Sequence, residues 1–298
     1  MNRKLALAAG MVTLGLTSFS ANAAHIAGLS IFEGQEFTFD GSAYGTASTT
    51  EITAVAIDFS YAADVDQVNT GAASASFTET GVAFFSAFQY PTLGSPVSAL
   101  SSGLNAGYKL YGVFTATGDI GPGPGGSGID GVFNTFNLTI YIDPDENTTG
   151  PFPPAPGSPN GTTTVGGTTA DDIEILSGTL SIGGFHVFAG LANGDFDVLF
   201  DVTSYDPTVW GGAAFAGDLN GDGDFLDAGE AVTSGDLNGV NTSIVGLVGA
   251  PFATKDDIII RGSGNLALRT VPVPGVLGLL GAGLLGLGWV NGRSRKNA

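Results

Sequence analysis

The feature that most constrains this chain is a recurring two-residue alternation of apolar and polar side chains. Successive side chains of a strand point to opposite faces, so each alternating segment predicts a strand with one face in a core and one face toward water. Long amphipathic helices are not indicated in the body of the chain. The apolar sets are Val55, Ile57, Phe59 and Tyr61; Phe136, Leu138, Ile140 and Ile142; and Phe196, Val198, Phe200 and Val202.

Further strands are predicted between clusters of Gly, Asn and Asp, which favour turns. They are 36–39, 73–78, 82–88, 108–115, 173–176, 179–185 and 257–261. About ten short strands with this punctuation predict an all-β fold, an antiparallel β-sandwich, with a jelly roll as the alternative topology. The Gly- and Pro-rich stretches 121–128 and 150–169 cannot bury enough apolar surface to order themselves, so we expect long surface loops within one domain.

The body of the chain, residues 24–270, is strongly acidic. It contains all 28 Asp and Glu residues and only four Lys or Arg residues, so its formal charge is −24. Such a charge disfavours nucleic acid and anionic membranes as partners. It favours multivalent cations such as Ca²⁺, which carboxylate oxygens bind well.

The chain contains no cysteine and only two histidines, His25 and His186. The core must therefore hold the fold without disulfides, and thiol catalysis and Cys- or His-rich zinc sites are excluded. A Ser-His-Asp triad would need His186, which lies in a predicted strand, and no G-x-S-x-G elbow is present. A glycosidase needs two facing carboxylates. A chain with 28 acidic residues always offers such a pair, so its presence is no evidence for this activity. We therefore predict a protein without catalytic activity.

The N-terminus has the three-part layout of a secretory signal peptide. Arg3 and Lys4 precede a mostly apolar stretch and the small-x-small site Ala21-Asn22-Ala23. The pattern predicts a signal peptide at 1–23 and an exported body that begins at residue 24.

The last 28 residues contain a second set of signals. The motif Val271-Pro272-Val273-Pro274 precedes an uncharged Gly- and Leu-rich run, and Arg293, Arg295 and Lys296 follow that run. The run is about long enough for a membrane-spanning helix of ~20 residues. By the positive-inside rule, the basic cluster would stay in the cytoplasm, so the body would lie outside that membrane.

The order of these C-terminal elements resembles the PEP-CTERM sorting signal of Gram-negative bacteria, in which Glu stands where this chain has Val273. The resemblance implies recognition by an exosortase-type membrane protease. The protein would associate transiently with the inner membrane through its C-terminal helix and then reach the cell surface or extracellular matrix. A plain tail anchor is the alternative interpretation of residues 271–298.

Three stretches of the body, 107–114, 141–149 and 194–201, resemble flocculation-associated PEP-CTERM proteins. This resemblance implies exopolysaccharide-dependent cell aggregation and no catalytic residues. We therefore predict a non-catalytic surface or matrix protein that acts in adhesion, flocculation or biofilm formation, with exopolysaccharide or another acidic matrix polymer as its partner. The alternatives are a secreted glycan-active enzyme and a carbohydrate-binding module, for which the candidate aromatic residues are Tyr90, Tyr205 and Trp210.

The candidate metal site is the Asp-rich segment 218–230, whose opening D-x-N-x-D-G matches the start of an EF-hand calcium loop. Its closing acid stands at position 13 of the loop instead of 12, and no flanking helix is indicated. An acidic surface turn is the alternative. The fragment Asp236-Leu237-Asn238-Gly239 repeats the opening and is either a distal ligand or a turn. The predicted Ca²⁺ ligands are Asp218, Asn220, Asp222, the Asp224 backbone carbonyl, Asp227 and Glu230.

Overall fold

The computed structural model describes residues 34–44, 51–91, 96–97, 102–126, 128–149, 164–190, 192–227, 230–247 and 249–271. This part of the chain consists mostly of β-strands. The strands are β1 (Phe37–Phe39), β2 (Ile52–Ala54), β3 (Ala56–Gly71), β4 (Ser74–Gln89), β5 (Lys109–Pro122), β6 (Gly128–Asp143), β7 (Ile173–Phe188), β8 (Gly194–Tyr205), β9 (Trp210–Gly212), β10 (Thr233–Val245) and β11 (Lys255–Thr270).

Eight of these strands form a closed antiparallel barrel. Strands β3 to β8 follow one another around it, β10 pairs with β8, and β11 pairs with both β10 and β3. The pairing of Leu266 with Ile57 is part of the ladder that closes the sheet on itself. The predicted sandwich or jelly roll is therefore wrong, because the strands form one closed sheet instead of two stacked sheets.

The error has a physical reason, which is that the strands are longer than the sequence pattern indicates. Strands β4 and β7 each join two predicted strands, across Gly81 and Gly178 respectively. A Cβ on Gly81 would lie 2.2 Å from the ring of Phe114, and one on Gly178 would lie 2.4 Å from the ring of Phe200. These glycines make room for aromatic rings inside the barrel and do not mark turns. Long strands that pair along both edges can close into a barrel.

The barrel has two different ends. At the hairpin end, short connections join β3 to β4, β5 to β6, β7 to β8 and β10 to β11. The predicted surface loop 121–128 is one of these, since β5 continues to Pro122 and β6 begins at Gly128. At the opposite, capped end, the chain forms a small sheet in the order β2-β1-β9.

An aromatic cluster closes the capped end. The ring centroid of Phe39 lies 5.0 Å from that of Phe88, 5.8 Å from that of Tyr108 and 4.9 Å from that of Trp210. All four side chains are at most 2 % exposed. Because rings of this size bury much apolar surface, the cluster holds the small sheet firmly across this end of the barrel.

Both predicted sorting segments lie outside the described residues, apart from Val271. The signal peptide 1–23, the rest of the motif Pro272-Val273-Pro274 and the basic residues Arg293, Arg295 and Lys296 stay predictions. The backbone N–H of Val271 donates a hydrogen bond to the carbonyl of Val232, at 2.8 Å. Within the described ranges, no helix is long and apolar enough to cross a membrane.

Candidate functional site

The Asp-rich segment 218–230 lies at the capped end, after β9 and the helical turn Ala213–Phe215. Phe225 anchors it, because this buried ring stacks on Tyr205 with the two centroids 5.5 Å apart. The backbone N–H of Tyr205 also donates to the carbonyl of Gly223, at 2.8 Å. Since Tyr205 is the last residue of β8, the stability of this segment is coupled to that of the barrel.

Asp218 organises the start of the segment. Its carboxylate accepts hydrogen bonds from the Tyr205 hydroxyl and from the backbone N–H groups of Gly221 and Gly223, at 2.6–3.0 Å. Burial by itself raises the pKa of this carboxyl, but the hydrogen bonds outweigh burial and hold the pKa below its ordinary value. Asp218 is therefore negatively charged at neutral pH, as a cation ligand must be.

Asn220, Asp222 and Asp227 meet around one point. The side-chain Nδ2 of Asn220 donates to Oδ2 of Asp222 at 3.0 Å and to Oδ2 of Asp227 at 2.6 Å. The two carboxylates therefore face the same donor group from different parts of the loop. A cation bound between them would replace the amide hydrogens as their partner.

The other two predicted acids are engaged with the backbone. Oδ1 of Asp224 accepts a hydrogen bond from the N–H of Leu226 at 2.9 Å. Glu230 is 5 % exposed, and its two oxygens accept from the N–H groups of Leu219 and Asp227, at 3.2 and 3.0 Å. Glu230 thus ties the beginning of the segment to its end.

The geometry brings part of the predicted ligand set together. The side chains of Asn220, Asp222 and Asp227 meet, whereas the carboxylates of Asp218 and Glu230 are not part of this contact. Asp224 is predicted to bind through its backbone carbonyl, and its side chain accepts from the N–H of Leu226. In the described part of the chain, no three Asp, Glu or His side chains come close enough to hold a metal ion. Because Ca²⁺ takes six to eight oxygen ligands, binding would require the loop to contract, and the calcium site stays a prediction.

The second D-L-N-G fragment lies within β10 and not in a turn. Leu237 faces the barrel interior, and its neighbour Asp236 lies on the outer face, where it is 2 % exposed. Burial, followed by repulsion from Asp197, raises the pKa of Asp236 to about 7. The carboxyl group of Asp236 is therefore only partly ionised at neutral pH.

The histidine considered for catalysis and the three aromatic residues considered for sugar binding all lie outside segment 218–230. His186 of β7 contacts Asp130 directly across the pairing with β6. Trp210 and Tyr205 are 2 % and 9 % exposed, so they pack in the core and offer no ring face for a sugar. Tyr90, at 42 % exposed, is the one of the three candidate aromatic residues with an accessible ring.

Sequence reasoning missed a carboxyl group inside the barrel. Glu79 of β4 is buried among the inward-facing side chains, and burial raises its pKa to about 7. It pairs in register with Val65 of β3 and Ala116 of β5. A signal was available, because Glu79 stands two residues from Phe77 and residues two apart on a strand share a face.

No family model, curated protein or solved structure matches this chain.

Proposed function

We propose that this is an exported, non-catalytic surface or extracellular-matrix protein that acts in exopolysaccharide-associated adhesion, flocculation or biofilm formation. The proposal rests on the two sorting signals that the sequence predicts, one on each side of an acidic body. The barrel geometry is compatible with C-terminal processing, since β11 ends at Thr270 and the motif begins at Val271. Cleavage within the motif would leave every barrel strand paired.

The outer wall of the barrel supports a role that depends on cations. Acidic side chains such as Asp66 and Asp119 are exposed on it. An acidic polysaccharide would be repelled by such a surface unless multivalent cations bridged the two. Calcium-assisted adhesion is therefore the form of the proposal that the charge distribution favours.

Segment 218–230 is the proposed calcium site. Asp222 and Asp227 would supply the first carboxylate oxygens, and Asp218, Asn220, Asp224 and Glu230 would complete the set. Bound Ca²⁺ would neutralise the repulsion among these carboxylates. Because the segment is anchored on the end of β8, this would also stabilise the barrel.

A localisation experiment tests the export part of the proposal. The full chain and a variant that lacks residues 271–298 would be expressed in a Gram-negative host that has an exosortase-type protease. We expect the full chain on the cell surface or in the matrix and the truncated chain elsewhere. Identical locations for the two proteins would contradict the sorting role. A full chain that stays in the membrane uncleaved would favour the tail anchor.

An aggregation experiment tests the matrix part. Cells that secrete exopolysaccharide would carry the wild-type protein, Asp222→Ala or the matched control Glu174→Gln. We expect sedimentation with wild type and Glu174→Gln, reversal by chelator, and reduced sedimentation with Asp222→Ala. Equal sedimentation with and without the protein would contradict the proposal. Cleavage of the polysaccharide by the purified protein would favour the glycan-active enzyme instead.

A further inference from the structure

The barrel interior contains a cavity toward the hairpin end. Its volume is about 80 Å³, and its wall is almost entirely apolar, with rings such as Phe59, Phe77 and Phe133. An eight-stranded barrel has an interior that side chains fill or that holds one small ligand. The space is roughly half that of an apolar cavity of ~150 Å³ that admits benzene. It therefore suits a slender group, such as a short alkyl chain.

One carboxyl group enters this apolar space. Glu79 lines the cavity and is 8 % exposed. Among the described residues that line it there is no Lys, Arg or His, and within the described ranges no hydrogen-bond donor contacts this carboxyl. A buried carboxylate without a partner is unfavourable. A ligand that donates hydrogen bonds would remove that penalty.

Of the three other polar residues that line the cavity, Gln67 and Tyr61 present acceptor oxygens, whereas Asn241 also carries N–H donors. Nε2 of Gln67 donates to the carbonyls of Pro251 and Ala253, at 2.8 and 2.7 Å, so this side chain can offer the cavity only its carbonyl oxygen. The Tyr61 hydroxyl donates to Oδ1 of Asn241, which leaves the phenol oxygen as an acceptor. A carboxyl, an amide oxygen and a phenol oxygen together favour a ligand that carries several N–H donors.

The connection between β10 and β11 lies beside this cavity at the hairpin end. Besides the two bonds from Gln67, the side chain of Asn69 donates to the carbonyl of Phe252 at 2.6 Å. The ring of Phe252 packs against the core. Residues 251–253 are thus held beside the cavity by side chains of β3.

We propose that the barrel interior binds a small primary amine with a short, unbranched alkyl chain, and that Glu79 is its counter-ion. The alkyl chain would lie among the phenylalanine rings, and the ammonium group would donate hydrogen bonds to the Glu79 carboxylate. A primary ammonium has three donors, so it can also reach the neighbouring acceptor oxygens. This site is separate from segment 218–230, which lies at the opposite end of the barrel.

Calorimetric titration of the purified full-length chain at pH 8 tests the proposal. The probes are n-butylammonium chloride, 1-butanol, which has the same chain without the charge, and tetramethylammonium chloride, which has the charge without N–H donors or chain. We expect one saturable site for butylammonium and weaker binding of butanol. Tetramethylammonium, which reports cation binding to the acidic surface, should show no saturable site.

Two variants decide whether that site is the cavity. Glu79→Gln should weaken butylammonium binding at least tenfold, while the exposed control Glu174→Gln should leave it unchanged. If Glu79→Gln fails to fold, Ala83→Val narrows the cavity with the carboxyl intact and should abolish binding. The proposal is overturned if no probe binds saturably, if butanol binds as tightly as butylammonium, or if butylammonium binds equally to the wild type and a folded cavity variant.

Discussion

Replacing Glu79 with Gln should remove a pH-dependent loss of stability from the barrel. Burial raises the pKa of this carboxyl from 4.5 to about 7 in the folded state. The residues paired with it, Val65 and Ala116, carry no charge that could offset burial. The nearby Tyr61 stays protonated, because burial raises the pKa of its hydroxyl well above 10.

The sign follows from proton binding in the two states. Below pH 4.5 both states hold the proton, so Glu79 has no effect on the pH dependence. Between pH 4.5 and 7 the unfolded state releases the proton while the folded state keeps it, so the free energy of unfolding falls as pH rises. Above pH 7 both states are ionised and the loss is complete. A shift of this size corresponds to about 3 kcal/mol.

The assay is chemical unfolding of the wild type, Glu79→Gln and the control Glu174→Gln at several pH values between 4 and 9. The difference in unfolding free energy between Glu79→Gln and wild type should change by about 3 kcal/mol in favour of the variant as pH rises. In thermal unfolding this is a relative shift of roughly 6–12 °C. Parallel pH profiles for the wild type and Glu79→Gln would refute the reasoning, since Glu79 would then titrate normally. Glu174→Gln should follow the wild type.

Three further predictions concern the rest of the structure. Ca²⁺ at 100 times its Kd should stabilise the folded wild type by about 2.7 kcal/mol, which corresponds to a Tm roughly 5–10 °C higher than in chelator. The Tm of Asp222→Ala should be the same in Ca²⁺ and in chelator. An equal Tm in calcium and chelator would reduce segment 218–230 to an acidic turn. Gly118→Ala should lower the free energy of unfolding in urea by at least about 1–3 kcal/mol, because the new Cβ would lie 2.2 Å from the carbonyl oxygen of Val132. Gly121→Ala on the same strand is the control and should be nearly neutral, because its Cβ would enter open space. Phe39→Ala should lower the free energy of unfolding by about 3–5 kcal/mol, because it leaves a cavity at the centre of the aromatic cluster at the capped end. A decrease below about 1 kcal/mol in the same assay would show that the cluster does not hold this end of the barrel.

Part of the candidate site could be predicted from local patterns. The motif in 218–230 is visible because its predicted ligands are close together in the chain. Local hydrogen bonds, such as the one from the backbone N–H of Gly223 to the carboxylate of Asp218, follow from the turn-forming residues there. The anchoring of this segment could not be predicted. It depends on the stacking of Phe225 with Tyr205, and Tyr205 belongs to a strand whose partners are set by the whole sheet.

The interior carboxyl illustrates the same limit. Because Glu79 and Phe77 are two residues apart, the sequence predicts that their side chains share one face of a strand. It does not tell whether that face is a solvated surface or the inside of a closed sheet. Only closure of the barrel makes Glu79 a buried group with a raised pKa, because closure removes water from one whole face of every strand.

The sequence by itself determined the strand character of this chain and, in strands such as β6, the face on which the apolar side chains lie. Val55 is an exception, because it is predicted in a strand and lies between β2 and β3. The alternating set Phe136, Leu138, Ile140 and Ile142 is fully on the buried side of β6, because the two-residue period is a local property of extended backbone. Tertiary structure alone decided that the strands close into a barrel. Closure requires β11 to pair with β3, about 200 residues earlier in the chain, and pairing over such a separation depends on strand length, bulges and tilt that local patterns do not specify. For the same reason, only the folded chain shows that Gly81 and Gly178 leave space for rings instead of ending strands.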